Sequence, residues 1–131
     1  MIKLGYVIAY VSDVDNALSF FESAFKLERK FLTEEKDYGE LETGSTILAF
    51  ATHELGESNF TGGYQRANDS DKPLGMEIAL ITDDVKASHA MAIKFGAQEL
   101  KEPEQRPWGQ TVSYIRCPAG LLIELCTSIS D

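Results

Sequence analysis

At 131 residues, 44% of them hydrophobic, the chain has the size and composition of one globular domain and leaves no room for a second independent one. Its 21 acidic against 12 basic side chains give a formal charge of -9, which repels a phosphate backbone or an anionic lipid surface, so neither nucleic acid nor membrane is expected as a partner. No apolar run approaches the roughly 20 residues of a membrane span, Met1 leads straight into strand-like sequence, and the expected compartment is the cytoplasm.

Residues 2–11 read as a first strand. Within YVIAYVSDV, residues 6–14, strand alternation gives way to Asp13 as a helix N-cap, and the helix at 14–25 carries Ala17, Leu18, Phe21 and Phe25 on one stripe. Residues 27–32 are apolar and charged by turns, as in a half-buried strand. Two short strands follow at 37–42 and 45–51, with Thr43 and Gly44 as the hairpin turn. The next segment, HELGESNFTGGYQRANDSDKPL at 53–74, is rich in Gly, Asn, Ser and Asp and holds no sustained period. It is long enough to be a lid or a crossover.

The stretch GMEIALITDDV, residues 75–85, then repeats the opening grammar. From Met76 to Ile81 every residue is apolar except Glu77, and a period of two puts Glu77, Ala79 and Ile81 on one strand face. Asp84 caps a helix at 85–95, which Gly96 stops. Residues 97–101 read as a strand, EPEQRPWG as a loop broken by Pro103 and Pro107, and 110–117 with 121–127 as a hairpin through Pro118, Ala119 and Gly120. Each half is strand, helix and three strands, and with the two caps in register Tyr6 falls on Glu77, so the chain reads as a duplicated unit. The expected division is unit one at about 1–54, a linker at about 55–74 and unit two at about 75–131, all in one domain.

Cys117 and Cys126 are the only thiols. With a hairpin turn beside Cys117, Cys126 lies roughly 20 Å away at ~3.4 Å per residue, too far for a bridge, so both are expected as buried, reduced thiols.

Glu77 and Glu124 are the candidate catalytic or ligand-binding pair. Glu124, in LLIELC, shares a strand face with Leu122 and Cys126. Two carboxylates facing one concavity cannot both stay ionised unaided, so they share a proton or recruit a cation. The same pair suits acid–base chemistry or the binding of a cationic group, and the residues alone leave both open. Tyr6 is either a core aromatic or a hydroxyl aimed at a ligand or at Glu77. Trp108, the single tryptophan, is either a staple on the core or a pocket wall for stacking, and Tyr114 and Arg116 read as sheet-packing and cross-strand or surface positions. No Ser-His-Asp order, P-loop or paired CxxC spacing supports nucleophilic hydrolysis, NTP use or structural zinc.

The tandem order, with Val11, Asp13, Ala17 and Phe21 early, Gly75 with Asp83 and Asp84 in the middle, and Pro107-Trp108-Gly109 with Ile123-Glu124-Leu125 late, resembles the vicinal oxygen chelate superfamily. Its members include glyoxalase I, extradiol dioxygenases, fosfomycin-resistance enzymes and bleomycin-resistance proteins. The resemblance implies an α+β fold of two tandem βαβββ units whose curved mixed sheets surround a cup, and a homodimer whose cups are completed across the interface. It also implies a divalent-metal site at positions falling on Tyr6, Ala49, Glu77 and Glu124, of which only Glu124 keeps its usual residue type. Ala49 has no ligand atom, so the usual site is expected to be degenerate and no cofactor is expected, beyond a weakly held divalent ion on Glu77, Glu124 and water. Tyr6, Ala49, Trp108 and Tyr114 then count as ligand-contact positions, whereas His53 and His89 map onto none.

The function expected from this is a small-molecule binding module of the glyoxalase and bleomycin-resistance type, its acidity favouring a basic ligand. One alternative is a metal-dependent isomerase or lyase of the glyoxalase I kind, the ion polarising a carbonyl while a carboxylate moves the α-proton. Another is a scaffold domain whose cup is filled by its own side chains.

Overall fold

Two aspartates start the two long helices in the same way. Asp13 accepts from the backbone N–H of Asn16 at 2.9 Å and Asp84 from that of Ala87 at 3.0 Å, each satisfying an amide that a helix start leaves unpaired. The computed structural model describes residues 1–129. In unit one, β1 (Tyr6–Val11) leads into α1 (Val14–Phe25), then β2 (Arg29–Leu32), β3 (Tyr38–Leu41) and β4 (Ile47–Thr52). A short helix α2 (His53–Ser58) and a 3-10 turn at Ala67–Asp69 lie in the connection, and unit two repeats the order as β5 (Glu77–Ile81), α3 (Val85–Lys94), β6 (Gln98–Gln105), β7 (Thr111–Arg116) and β8 (Leu122–Cys126).

The duplication extends to the strand order. One sheet runs β1-β4-β3-β2 and the other β5-β8-β7-β6, with the first strand of each unit parallel to its last and the remaining pairs antiparallel. The mixed sheets, the helix placement and the tandem βαβββ units agree with the expected fold.

Three expectations need correction. The first strand begins at Tyr6, not at residue 2, because its partner β4 begins at Ile47, whose N–H already reaches back to the Gly5 carbonyl; before that the chain is met by the Thr46 hydroxyl, which donates to the Leu4 carbonyl at 3.1 Å, and not by a strand. The connection is not featureless, since Thr52 caps α2 by accepting from the Leu55 N–H at 3.3 Å. And β6 runs on through Pro103 to Gln105. Proline is tolerated there because β6 is an edge strand whose pairing with β7 slips between Lys101 and Glu104.

The core sits around the helices. Helix α1 buries Val14, Ala17, Leu18, Phe20, Phe21 and Ala24, and Phe21 packs 5.3 Å from the ring of Phe50 on β4. Fully burying a phenylalanine of this kind contributes about 2–3 kcal/mol. Helix α3 contacts α1, and Ile115, Ile123 and Leu125 of the second sheet join the same buried cluster as Leu41, Leu48 and Phe50 of the first. Each sheet therefore spends one face on the helices and turns the other away from them.

The histidines belong to this packing. His89 of α3 is buried between the Ser113 hydroxyl at 2.9 Å and the Glu99 carboxylate at 2.8 Å, and His53 is buried with its Nδ1 2.7 Å from the Tyr64 hydroxyl. Both cysteines are buried and unbridged, and burial pushes both thiols upward, so neither is a ready nucleophile. Among the described residues no helix is long and apolar enough to cross a membrane.

Candidate functional site

Alternation along β5 and β8 decides which side chains leave the core. Ile78 and Leu80 of β5, with Ile123 and Leu125 of β8, turn to the helices, so Glu77, Ala79 and Ile81 share the other face with Leu122, Glu124 and Cys126. The parallel register sets Glu77 opposite Leu122 and Ala79 opposite Glu124, so the two glutamates are diagonal neighbours on adjacent strands. Their carboxyls come within hydrogen-bonding contact. That contact, then burial, then the charge of Glu124 hold the Glu77 carboxyl above the usual carboxylate range.

Tyr114 of β7 lies opposite Glu124, and its hydroxyl donates to Glu124 Oε1 at 2.9 Å. Burial first, and the adjoining Glu124 second, push this phenol upward, while Arg106 beside it opposes the rise. Cys126 completes the group: burial raises its thiol, Glu124 raises it further, and its Sγ–H points to the Leu80 carbonyl at 3.7 Å. The arrangement is a hydrogen-bonded acid pair backed by a phenol, with one guanidinium at its edge. Such a pair is short of positive charge and accepts a cation or exchanges a proton.

The first sheet carries a related group in exchanged form. Ile8 pairs with Ala49 as Ala79 pairs with Glu124, so Ala49 occupies in unit one the place of Glu124 in unit two. The residue opposite Ala49 on β3 is Glu40, where unit two has Tyr114. Glu40 is buried, accepts from the Tyr38 hydroxyl at 2.6 Å and lies 3.9 Å from Lys30 Nζ. Burial and Glu40 drive the Tyr38 phenol far above its ordinary value. Tyr6, half exposed at the start of β1, is a neighbour of Tyr38.

The sequence-derived residues are thus divided. Glu77, Glu124 and Tyr114 are brought together on the second sheet, while Tyr6 and the wholly buried Ala49 stand on the first. Trp108 is 64% exposed on the turn after β6, its single N–H committed to Gln110 Oε1 at 2.9 Å. Sequence reasoning passed over Arg106, Cys126 and Glu40. Cys126 was open to the same alternation argument that found Glu124, whereas Glu40 emerges only through cross-strand register and Arg106 lies in a segment read as loop.

Residues 4–130 match the family described as Glyoxalase-like domain. No curated protein matches the sequence. Among solved structures, the chain is similar to a glyoxalase-related enzyme from Fulvimarina pelagi, with a TM-score of 0.82 at 15% identity over 98% of this chain and 89% of that one. It is also similar to a glyoxalase/bleomycin resistance protein/dioxygenase family enzyme from Burkholderia phytofirmans PsJN, with a TM-score of 0.72 at 18% identity over 96% and 98% of the two chains. A member of the same superfamily from Sphaerobacter thermophilus DSM 20745 aligns with a TM-score of 0.68 at 23% identity, covering 98% of each chain. At these identities the likeness is one of fold.

Proposed function

The chain belongs to the glyoxalase-like domain family, and we propose that it is a binding module for a small organic cation, held by the carboxyl pair Glu77 and Glu124. The observation that carries this is the pair itself: two acids in hydrogen-bonding contact, with Tyr114 already donating to one of them. A protonated amine placed between them supplies the N–H donors that two carboxylates lack and removes their mutual repulsion. Arg106, beside Tyr114, sets one side of the site.

The residues do not fit the divalent ion of the enzymatic branches. Ala49 offers no donor atom, Tyr6 belongs to the other sheet, and among the described residues no three His, Cys, Asp or Glu side chains cluster as a metal site would need. A divalent ion would meet the carboxylates of Glu77 and Glu124 alone, so an isomerase or lyase of the glyoxalase I kind lacks its ligand set. A homodimer is supported by exposed apolar and aromatic side chains outside the helix layer, with Tyr6 and Phe31 on the first sheet and Ile81 on the second.

The test is a comparison of butylammonium with butyrate by protein-observed NMR at neutral pH, beside the metal content of the purified protein. The expected result is amine-dependent shifts of residues flanking Glu77 and Glu124, lost in Glu77→Gln. Equal response to the anion, or stoichiometric bound metal, would sink the proposal.

A further inference from the structure

A cleft of about 290 Å³ opens between the outer edges of β1 and β5. Each of these strands is one of the two edges of its sheet, and they are equivalent in the two units, so the space between them is a product of the duplication. Its walls are apolar, with Val7 and Ile8 from β1, Leu122 from β8, and Phe60, Leu74 and Met76 from the connection between the units. Met76 is 70% exposed, Phe60 51% and Ile8 43%, so a substantial apolar wall faces solvent inside a concave space. Concavity, apolar walls and a volume near the lower end of the roughly 300–1,000 Å³ of small-molecule sites go together. Among the described residues that line it, Glu77 is the only one with a charge.

The connection is held in place by contacts within the chain. The rings of Tyr10 and Tyr64 lie 5.0 Å apart, the Tyr64 hydroxyl sits 2.7 Å from His53 Nδ1, and Asn59 Nδ2 donates to the Tyr10 hydroxyl at 3.1 Å. Gly56 lies so close to the Tyr10 ring that an added Cβ would stand 2.7 Å from it. On the other side Arg116 donates to the carbonyls of Ala67, Ser70 and Asp71. The cleft is therefore preformed, which spares a ligand the cost of ordering a loop.

We infer that this cleft takes the hydrophobic body of an amphiphilic amine, a flat aromatic or short aliphatic group carrying one protonated nitrogen, whose cationic end reaches Glu77 at the rim. The inference rests on the carboxylate-pair function proposed above and adds to it the class of ligand: a bare small cation would leave the apolar walls wet, and a neutral apolar molecule would leave the acid pair unpartnered. An anion has nothing to meet, since the only charge on the lining is negative.

Three probes with one body separate these terms: 1-naphthylmethylammonium, 1-naphthalenemethanol and 1-naphthoate, titrated by calorimetry alongside butylammonium. The ammonium is expected to bind about tenfold tighter than the alcohol, through its charge-assisted contact with Glu77, and about tenfold tighter than butylammonium, through the larger apolar area it buries. Naphthoate is expected not to bind. Glu77→Gln should bring the ammonium down to the level of the alcohol and leave the alcohol unchanged. Leu74→Trp, which narrows the cleft, should abolish both, and Met76→Trp at a more exposed wall position repeats the test should Leu74→Trp disturb folding, judged by circular dichroism.

If the alcohol fails to bind, or both tryptophan variants leave the naphthyl probes unaffected, the cleft is not the anchor, even where butylammonium still depends on Glu77. If instead the alcohol binds and is lost in the tryptophan variants while charge and Glu77→Gln make no difference, the amine half of the inference falls together with the carboxylate-pair function. Probe affinity that drops with rising protein concentration, matched by self-association in sedimentation, would show a second copy covering the cleft and overturn the inference.

Discussion

Glu77 and Glu124 are diagonal neighbours on two parallel strands, and interaction with Glu124 is the first cause that raises the Glu77 carboxyl. Because the Glu77 carboxyl is held above its ordinary value of 4.5, the folded protein keeps a proton that the unfolded chain releases. The sign follows. The unfolded state binds fewer protons across the window between the ordinary value and the raised one, so stability falls as pH rises through it, and the full penalty is present above the raised value. Glu77→Gln removes that penalty while keeping a hydrogen bond to Glu124. Since Glu77 is well exposed, solvent screening keeps the gain small, about 2 °C in melting temperature at pH 7.5, with no gain at pH 4. Thermal scans across pH check it; an equal shift at both pH values would mean that charge is not the cause.

The same raised Glu77 fixes how amine binding responds to pH. Affinity for 1-naphthylmethylammonium is expected to rise with pH through the window in which Glu77 loses its proton, then level off while the amine stays protonated. Binding of 1-naphthalenemethanol should stay flat over that range. Glu77→Gln should flatten the amine curve, and a curve that keeps its slope in the variant would assign the titration to another group.

Tyr114→Phe removes the hydroxyl that donates to Glu124 Oε1 at 2.9 Å. The loss is about 1 kcal/mol of stability at neutral pH, somewhat more than for a neutral hydrogen bond because the acceptor is charged, and reduced by partial exposure. Without that donor the acid pair holds its proton more tightly, so the rise of amine affinity with pH moves to higher pH. Urea denaturation and calorimetry measure the two effects separately. Unchanged stability with unchanged affinity would show that Tyr114 only packs.

What the sequence made legible follows from range. Strand alternation and N-capping act over two to four residues, and they sufficed for Asp13, Asp84, the helices that they start and the outward turn of Glu77 and Glu124. The equivalence of Tyr6 with Glu77 was equally open, since each lies seven residues before its cap. Long-range partners were not. Arg116 reads as an ordinary strand cation, yet its partners are carbonyls about 45 residues earlier, in a segment with no periodicity. Pro103 misled because a proline marks a break unless the strand is known to lie at an edge, which depends on sheet order. That unit one carries its acid at Glu40 on β3 rather than at Ala49 on β4 is visible only through cross-strand register.

The two caps offer a test of the duplication itself. Asp13→Ala and Asp84→Ala each delete one side-chain acceptor for a helix amide, at 2.9 and 3.0 Å respectively, and each should cost about 1 kcal/mol. Asparagine at either site should restore most of it. Because α1 and α3 pack on one core, the denaturation transition should stay single and the double variant should lose the sum. Two separate transitions would show that the units fold independently.

Arg116 is the most consequential side chain outside the acid pair. Its Nε donates to the Gly120 carbonyl at 3.1 Å, Nη1 to Asp71 at 3.1 Å, and Nη2 to Ala67 at 2.8 Å and Ser70 at 2.9 Å, so one guanidinium ties the connection to the β7–β8 turn. The turn is shaped to receive it: Gly120 has φ of 89°, and an added Cβ there would run into the Asn68 side chain and the Ala67 backbone. Arg116→Met leaves four carbonyls to find water. The cost is about 2 kcal/mol, less than four separate charged hydrogen bonds, because the segment is partly exposed and relaxes. Lysine should recover less than half, having a point charge instead of a planar fork. Hydrogen exchange gives the decisive readout. Amides at 67–74 should exchange faster in Arg116→Met while those of α1 and β4 keep their protection, and naphthalenemethanol affinity should fall as the cleft loses its outer wall. Uniform loss of protection across the whole chain would instead make Arg116 a residue of global stability.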